Sequence, residues 1–244
     1  KIGFPHPDLF SEMKALFLYD GINICKSFDH DQDLGAMLLE KVNPGYDLTH
    51  LEDDEEKIEI ASNLITGLYI SVDQSYEEIP TYEYWLTRAF KIARTNRICG
   101  QKMLTFMDIA ESFFKKLKED DFSEVLLHGD LHHFNILKDK REGWKVIDPK
   151  GVIGFPILEA ARFMENQLGM VSINKKFDML KKMIDIFSKK FKVSAKTTAR
   201  ALFIDYVLST AWSFEGNEDP ESLREKLKEN IQDCKMILDY AQEL

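Results

Sequence analysis

The hydrophobic positions change period along the chain. After Pro7 and Asp8, the apolar residues Leu9, Phe10, Met13, Leu16 and Phe17 recur at helical spacing until Gly21 stops them. Residues 22–28 read as a strand, 29–33 as a polar turn, and the run from Gly35 to Glu40 as a second, mostly buried strand. Asn43-Pro44-Gly45 is strong turn punctuation and marks a hinge. From there the period is helical, predicting helices over 52–71, 81–96 and 101–119. Short strands near 124–127, 135–138 and 144–148 interrupt, and helices resume over 157–167, 174–191, 195–213 and 220–242. Pro220 suits the first turn of the last one, where its missing N–H costs little. The pattern predicts an α+β chain without repeats: a small strand-rich part, 1–42, a hinge near 40–45, and a larger helical part, 43–244.

Composition narrows the partners. The formal net charge is −10, from 42 acidic against 32 basic residues, which argues against nucleic acid, since a phosphate backbone calls for a basic face. The negative charge serves solubility first and suits a cationic small molecule second. Cys25, Cys99 and Cys234 are scattered, with no Cys-x-x-Cys, which fits a reducing cytoplasm. No apolar run reaches the length of a membrane span and no signal-peptide pattern opens the chain, so no membrane partner is expected. The chain starts at Lys1 without a Met, which suggests a missing N-terminal portion.

The candidate chemistry lies in Val125-Leu-Leu-His-Gly-Asp-Leu-His-His-Phe-Asn-Ile-Leu137 and Trp144-Lys-Val-Ile-Asp-Pro-Lys150. Asp130 sits in a turn after an apolar strand, where a carboxylate can face a cleft as a general base. Asn135, five residues on, offers a neutral amide oxygen, and Asp148 an anionic one; together they suit Mg²⁺, a hard ion that takes oxygen ligands. A hairpin over 134–148 would bring both oxygens to one end. This set points to phosphoryl transfer to a hydroxyl, in which a base orients the acceptor and metal neutralises the phosphates. Asp, Asn and Gly are also ordinary turn residues, but the ordered set His-Gly-Asp-x-x-x-x-Asn, apolar strand, Ile-Asp is much more specific than a lone His-x-Asp.

These residues, with Asp148-Pro-Lys-Gly151 and the paired His132-His133, resemble the aminoglycoside phosphotransferase group of the protein-kinase-like superfamily, in its streptomycin 6-kinase and aminoglycoside/hydroxyurea resistance kinase branch. Leu38-Leu-Glu-Lys-Val-Asn-Pro-Gly45 is similar to that family's linker, and Lys1-Ile-Gly-Phe-Pro5 to the end of its third strand. The resemblance implies a bilobal kinase-like fold with a small β-rich N-lobe, truncated here, and a larger helical C-lobe. It implies ATP and Mg²⁺ as cofactors, Asp130 as catalytic base, and Asn135 and Asp148 as metal ligands. Residues 38–42 become the adenine-binding linker, through backbone groups, with Glu40 and Val42 as nucleotide-binding positions. Lys1 becomes the phosphate-reaching lysine and Glu12 its partner; the competing reading of that pair is a solvated surface contact. The implied acceptor is a cationic small molecule carrying a hydroxyl, such as streptomycin.

Other positions stay open on sequence. His128 reads as structural, holding the turn. Adjacent histidines such as His132 and His133 seldom converge on one metal ion. Lys150 is either near the phosphates or a solvated loop lysine. Glu159 either braces the catalytic turn or answers the helix dipole. Trp212 and the acidic run Glu215–Asp219 are either an acceptor surface or a core residue and a solvated loop. Two departures from the family stand out: no Gly-x-Gly-x-x-Gly occurs, and Phe155 stands where the family usually has Asp between Gly and Pro. They motivate one rival, a nucleotide-binding or scaffold protein without useful turnover; a second, a kinase of another alcohol, follows because the motif alone does not fix the acceptor.

Overall fold

The computed structural model describes residues 1–72, 79–120, 122–216 and 219–244. The chain forms two compact units, residues 1–81 with 123–167, and residues 82–122 with 168–244. The expected boundary at 42/43 falls inside the first unit, because residues 44–47 pair with the later hairpin that carries the candidate chemistry.

In the first unit, helix α1 (Pro7–Tyr19) begins with Pro7 in its first turn and the His6 ring accepting the Asp8 N–H. Leu9, Met13 and Leu16 form its buried stripe, and Asp20 ends it in the left-handed region. Strands β1 (Ser27–Asp31) and β2 (Ala36–Leu39) form an antiparallel pair. Residues 1–3 run alongside β2: Met37 N–H donates to the Lys1 carbonyl at 2.9 Å and Gly3 N–H to the Gly35 carbonyl at 2.8 Å. Gly35 is required there, since its φ is +61° and a β-carbon would stand 2.1 Å from the Gly3 oxygen.

A three-stranded sheet in the order β3–β6–β7 joins β3 (Pro44–Asp47), β6 (Ile136–Asp139) and β7 (Gly143–Val146). A second, β4–β5–β8, joins β4 (Ile70–Ser71), β5 (Val125–Leu127) and β8 (Val152–Gly154). Helix α2 (Asp54–Gly67) is capped by the Asp53 carboxylate and packs against β7. Helix α5 (Pro156–Met170) follows β8, and its residues through Gln167 belong to this unit.

The second unit is helical: α3 (Tyr82–Thr95), α4 (Gln101–Glu119), α6 (Ile173–Phe191), α7 (Ala195–Trp212) and α8 (Pro220–Glu243). Helix α7 is its axis. It is apolar nearly all round, with Leu202, Phe203, Ile204, Val207 and Leu208 all buried, and it packs against each of the other four helices. Polar groups on it reach other helices: Asp205 accepts from Tyr82, and Tyr206 donates to Asp233 at 2.6 Å, a carboxylate that also binds Lys176 at 2.6 Å.

Four element expectations change. The first strand is Ser27–Asp31, not 22–28, because left-handed Gly21 (φ 81°) and Asn23 (φ 58°) turn the chain and leave Ile22 exposed. Of the expected turn at 43–45, Pro44 and Gly45 lie in β3 itself. Helix α2 ends at Gly67 rather than 71, since Ile70 and Ser71 pair with β5. Strand β8, which had no signal of its own, completes the sheet beside β5.

Candidate active site

Strand β5 is buried along its length and delivers His128, Gly129 and Asp130 at its end. Gly129 takes φ +80°, which turns the chain sharply after His128. The His128 ring is fully buried, and burial pushes its pKa down to about 4, with the Ile147 contact and Asp130 opposing. The neutral ring donates from Nε2 to the Ile147 carbonyl at 2.8 Å and accepts the Asp130 N–H on Nδ1 at 3.2 Å. His128 is thus a strut between the turn that carries Asp130 and the strand leading to Asp148. From behind, the buried Glu159 carboxylate accepts the Gly129 N–H at 3.1 and 3.3 Å.

Asp130 presents a partly exposed carboxylate. Burial works to raise its pKa, but Lys150 first and Arg162 second outweigh it, so its pKa lies below the usual value. Asn135 closes a single 3-10 turn (His133–Asn135), and its Nδ2 donates to the Asp130 carbonyl at 3.0 Å. Ile147 N–H donates to the Asn135 carbonyl at 3.0 Å, extending the β6–β7 ladder, in which Ile136 faces Val146. The hairpin therefore brings Asn135 next to the residue before Asp148. Asp148 sits at φ +56°, a left-handed conformation that Asp tolerates better than most residues.

Lys1 Nζ lies 2.7 Å from Glu12 and 3.2 Å from Asp148. Burial alone would lower the lysine's pKa; Glu12 and then Asp148 overcome it and raise it. Burial pushes the Glu12 carboxyl up, with Lys1 opposing. The pair is no solvated surface contact, since the Glu12 side chain is only 9% exposed. In the linker, Val42 is buried, and the Glu40 side chain turns to Lys145 at 2.8 Å and Arg141 at 3.1 Å. The Lys145 hydrogen bond holds the Glu40 carboxyl below its usual pKa.

The paired histidines diverge. His133 is buried, stacked on Phe163 at 4.5 Å, with Nε2 2.6 Å from the Gln167 side chain, whereas His132 Nε2 accepts from Asn135 at 3.4 Å. Phe155 is buried at the end of β8, so the departure from the family's acid places apolar packing where an acid would have preceded helix α5. In the second unit, Trp212 meets Trp85 edge-on at 5.4 Å and Glu215 pairs with Arg88 at 3.1 Å; Asn217 and Glu218 of the acidic run lie outside the described residues.

Two contributors were not singled out on sequence. Arg162 is a buried cation on α5 beside Asp130, and the only available signal was its place one turn after Glu159. Ser11 donates its hydroxyl to the Lys150 carbonyl at 2.7 Å across 139 residues, a contact with no local signature.

Known proteins resemble this chain in sequence and in fold. Residues 7–216 match the sequence profile of the aminoglycoside/hydroxyurea antibiotic resistance kinases. The chain is 20% identical over 224 residues to a streptomycin 6-kinase of Streptomyces griseus, covering 88% of this chain and 70% of that protein. It is 25% identical over 183 residues to a hydroxyurea phosphotransferase of Kitasatospora aureofaciens, covering 74% and 53%. A solved amicoumacin kinase in complex with AMP-PNP and Ca²⁺ superimposes with a TM-score of 0.64 at 14% identity, over 95% of this chain and 79% of that one. The fold is that of the protein-kinase-like phosphotransferases. With its sequence matched over 210 residues, the chain belongs to the aminoglycoside/hydroxyurea antibiotic resistance kinase family, a family of small-molecule phosphotransferases.

Proposed function

We propose that this chain moves the γ-phosphoryl group of Mg·ATP onto a hydroxyl of a cationic small molecule, with an aminoglycoside such as streptomycin as the leading acceptor. The observation that carries the reading is the turn at 128–135. It fixes the Asp130 backbone through His128 and Asn135 while leaving its carboxylate partly exposed, with a cation beside it.

In this reading Asp130 orients the acceptor hydroxyl and takes its proton. The donors fit magnesium. Both are oxygen atoms; Asn135 spends its Nδ2 on the Asp130 carbonyl, and the Asp148 side chain is 46% exposed. Among the described residues no three His, Cys, Asp or Glu side chains form a cage, and a small donor set suits an ion that completes its shell with water and phosphates. Bound there, magnesium would neutralise phosphate charge. Lys1, held by Glu12, would meet the nucleotide phosphates, and backbone groups of 38–42, at Glu40 and Val42, would meet the base. Functionally, residues 1–42 are then the nucleotide side, and 43–244 carry the catalytic loop and acceptor side. The buried thiols of Cys25, Cys99 and Cys234 suit a cytoplasmic setting, and among the described residues no helix is long and apolar enough to cross a membrane.

The test is ATP-dependent phosphorylation of streptomycin by the wild type and by Asp130→Ala. Loss of a base should cost about 10²–10⁴-fold in kcat, and equal turnover by the variant would refute the role. The buried Phe155 favours a second reading, a kinase of another alcohol, because the family's usual acid is absent there. A panel of hydroxyl acceptors separates the two.

A further inference from the structure

Lys150 is a cation that the roles given to Asp130, Asn135 and Asp148 leave unused. Its backbone is fixed on three sides. Its own N–H and that of Gly151 donate to the His128 carbonyl at 2.8 and 3.1 Å, and the Ser11 hydroxyl donates to its carbonyl at 2.7 Å. Gly151 allows this close approach to α1: its φ is +70°, and a β-carbon there would stand 2.8 Å from Ala15 Cβ and 2.9 Å from the Ser11 oxygen. The Lys150 Nζ lies 3.3 Å from Asp130 Oδ2, and its side chain is 49% exposed. An ion pair that open adds little to stability, so holding the fold does not account for so firm a seat. The other cation near Asp130, Arg162, is buried and bound to Glu165 at 3.0 Å. Lys1, held by Glu12 and 3.2 Å from Asp148, already has its role at the nucleotide phosphates in the reading above. With about half its side chain exposed, Lys150 can turn its ammonium to a ligand while staying at the base.

Resting on the phosphotransferase reading above, we propose that Lys150 is a catalytic residue whose ammonium binds an oxygen of the γ-phosphoryl group as it passes to the hydroxyl held by Asp130. In that step the acceptor hydroxyl gives its proton to Asp130 and its oxygen bonds to the γ-phosphorus. The bond from that phosphorus to the β–γ bridging oxygen breaks, its electron pair leaving with ADP. A hydroxyl within reach of Asp130 is roughly 2.6–3.2 Å from the carboxylate, and the phosphorus it attacks lies about 3–3.5 Å further on. A cation seated on that same carboxylate is within a flexible side chain's reach of the moving group. Charge spreads over the three equatorial oxygens in the transition state, and a fixed cation stabilises it without reorganising.

The decisive measurement is calorimetric binding of Mg·ATP and Mg·ADP to the full chain and to its Lys150→Met and Lys150→Arg variants, which needs no acceptor. A direct contact to the γ-phosphoryl predicts that Lys150→Met binds Mg·ATP about 10- to 100-fold more weakly. Mg·ADP binding should stay at the wild-type value, and Lys150→Arg should recover most of the loss. With streptomycin as acceptor and Mg·ATP saturating, Lys150→Met should lose about 10²–10³-fold in kcat with little change in the KM for streptomycin. Circular dichroism identical to wild type confirms folding. A Lys150→Met variant that keeps the wild-type ratio of ATP to ADP affinity, or weakens both nucleotides equally, overturns the assignment while leaving the phosphotransferase reading intact. A wild type that binds no Mg·ATP overturns that reading, and Lys150's role with it.

Discussion

Replacing Glu159 with Ala should loosen the catalytic turn from behind. The Glu159 carboxylate is 3% exposed, and both of its oxygens accept the Gly129 N–H, at 3.1 and 3.3 Å. These distances exceed the 2.7–2.9 Å of a strong charge-assisted bond, so the interaction belongs at the lower end of the charged range, about 1.5 kcal/mol. Ala also leaves a buried N–H without an acceptor, a cost of roughly 1–3 kcal/mol. The two overlap in part, and Glu159→Ala should lose about 2–4 kcal/mol overall. Glu159→Gln keeps one acceptor oxygen and should lose about 1 kcal/mol. Urea unfolding measures both, and hydrogen exchange at the Gly129 amide reports the local opening directly. Because Gly129 precedes Asp130, kcat with Mg·ATP and streptomycin should fall more than KM changes. Stability of Glu159→Ala within about 0.5 kcal/mol of wild type, with unchanged Gly129 exchange, would refute the bracing role.

Acidification should destabilise the chain through His128. Its folded-state pKa is depressed to about 4 from 6.5, so the unfolded chain binds more protons between those values. Its contribution is complete above pH 6.5 and is lost as the pH falls toward 4, on the order of 1 kcal/mol per pH unit. Urea midpoints at pH 7 and 5 should lie closer together in His128→Gln than in the wild type, the remaining dependence coming from His133, which burial also pushes down to about 4; an unchanged slope in that variant would contradict the reasoning. Glu40→Ala should cost about 1–3 kcal/mol, because Lys145, its side chain only 4% exposed, then keeps only Glu142 at 3.2 Å among its described carboxylate partners. Adding Lys145→Met should restore much of that in the same unfolding assay.

The sequence by itself determined the helices and brought out the residues proposed for the site. Helices α3, α4, α6, α7 and α8 are long enough for their apolar period to be read locally, and packing then used the faces the period had marked. His128, Asp130, Asn135 and Asp148 were legible because they fall on one turn and one hairpin, where spacing along the chain is already spacing in space. Short strands were harder. Ser27–Asp31 is mostly polar and exposed, and Val152–Gly154 is a strand only because β5 lies beside it. Their signal is a partner's hydrogen bonds, which no window of sequence contains.

What only the tertiary structure decided is where the charges meet. Lys1 reaches Asp148, Ser11 holds Lys150, Glu40 neutralises Lys145, and Arg162 and Lys150 flank Asp130. Each joins residues far apart in the chain. A carboxylate's pKa and a lysine's reach depend on burial and on distances of a few ångströms, and folding alone sets these.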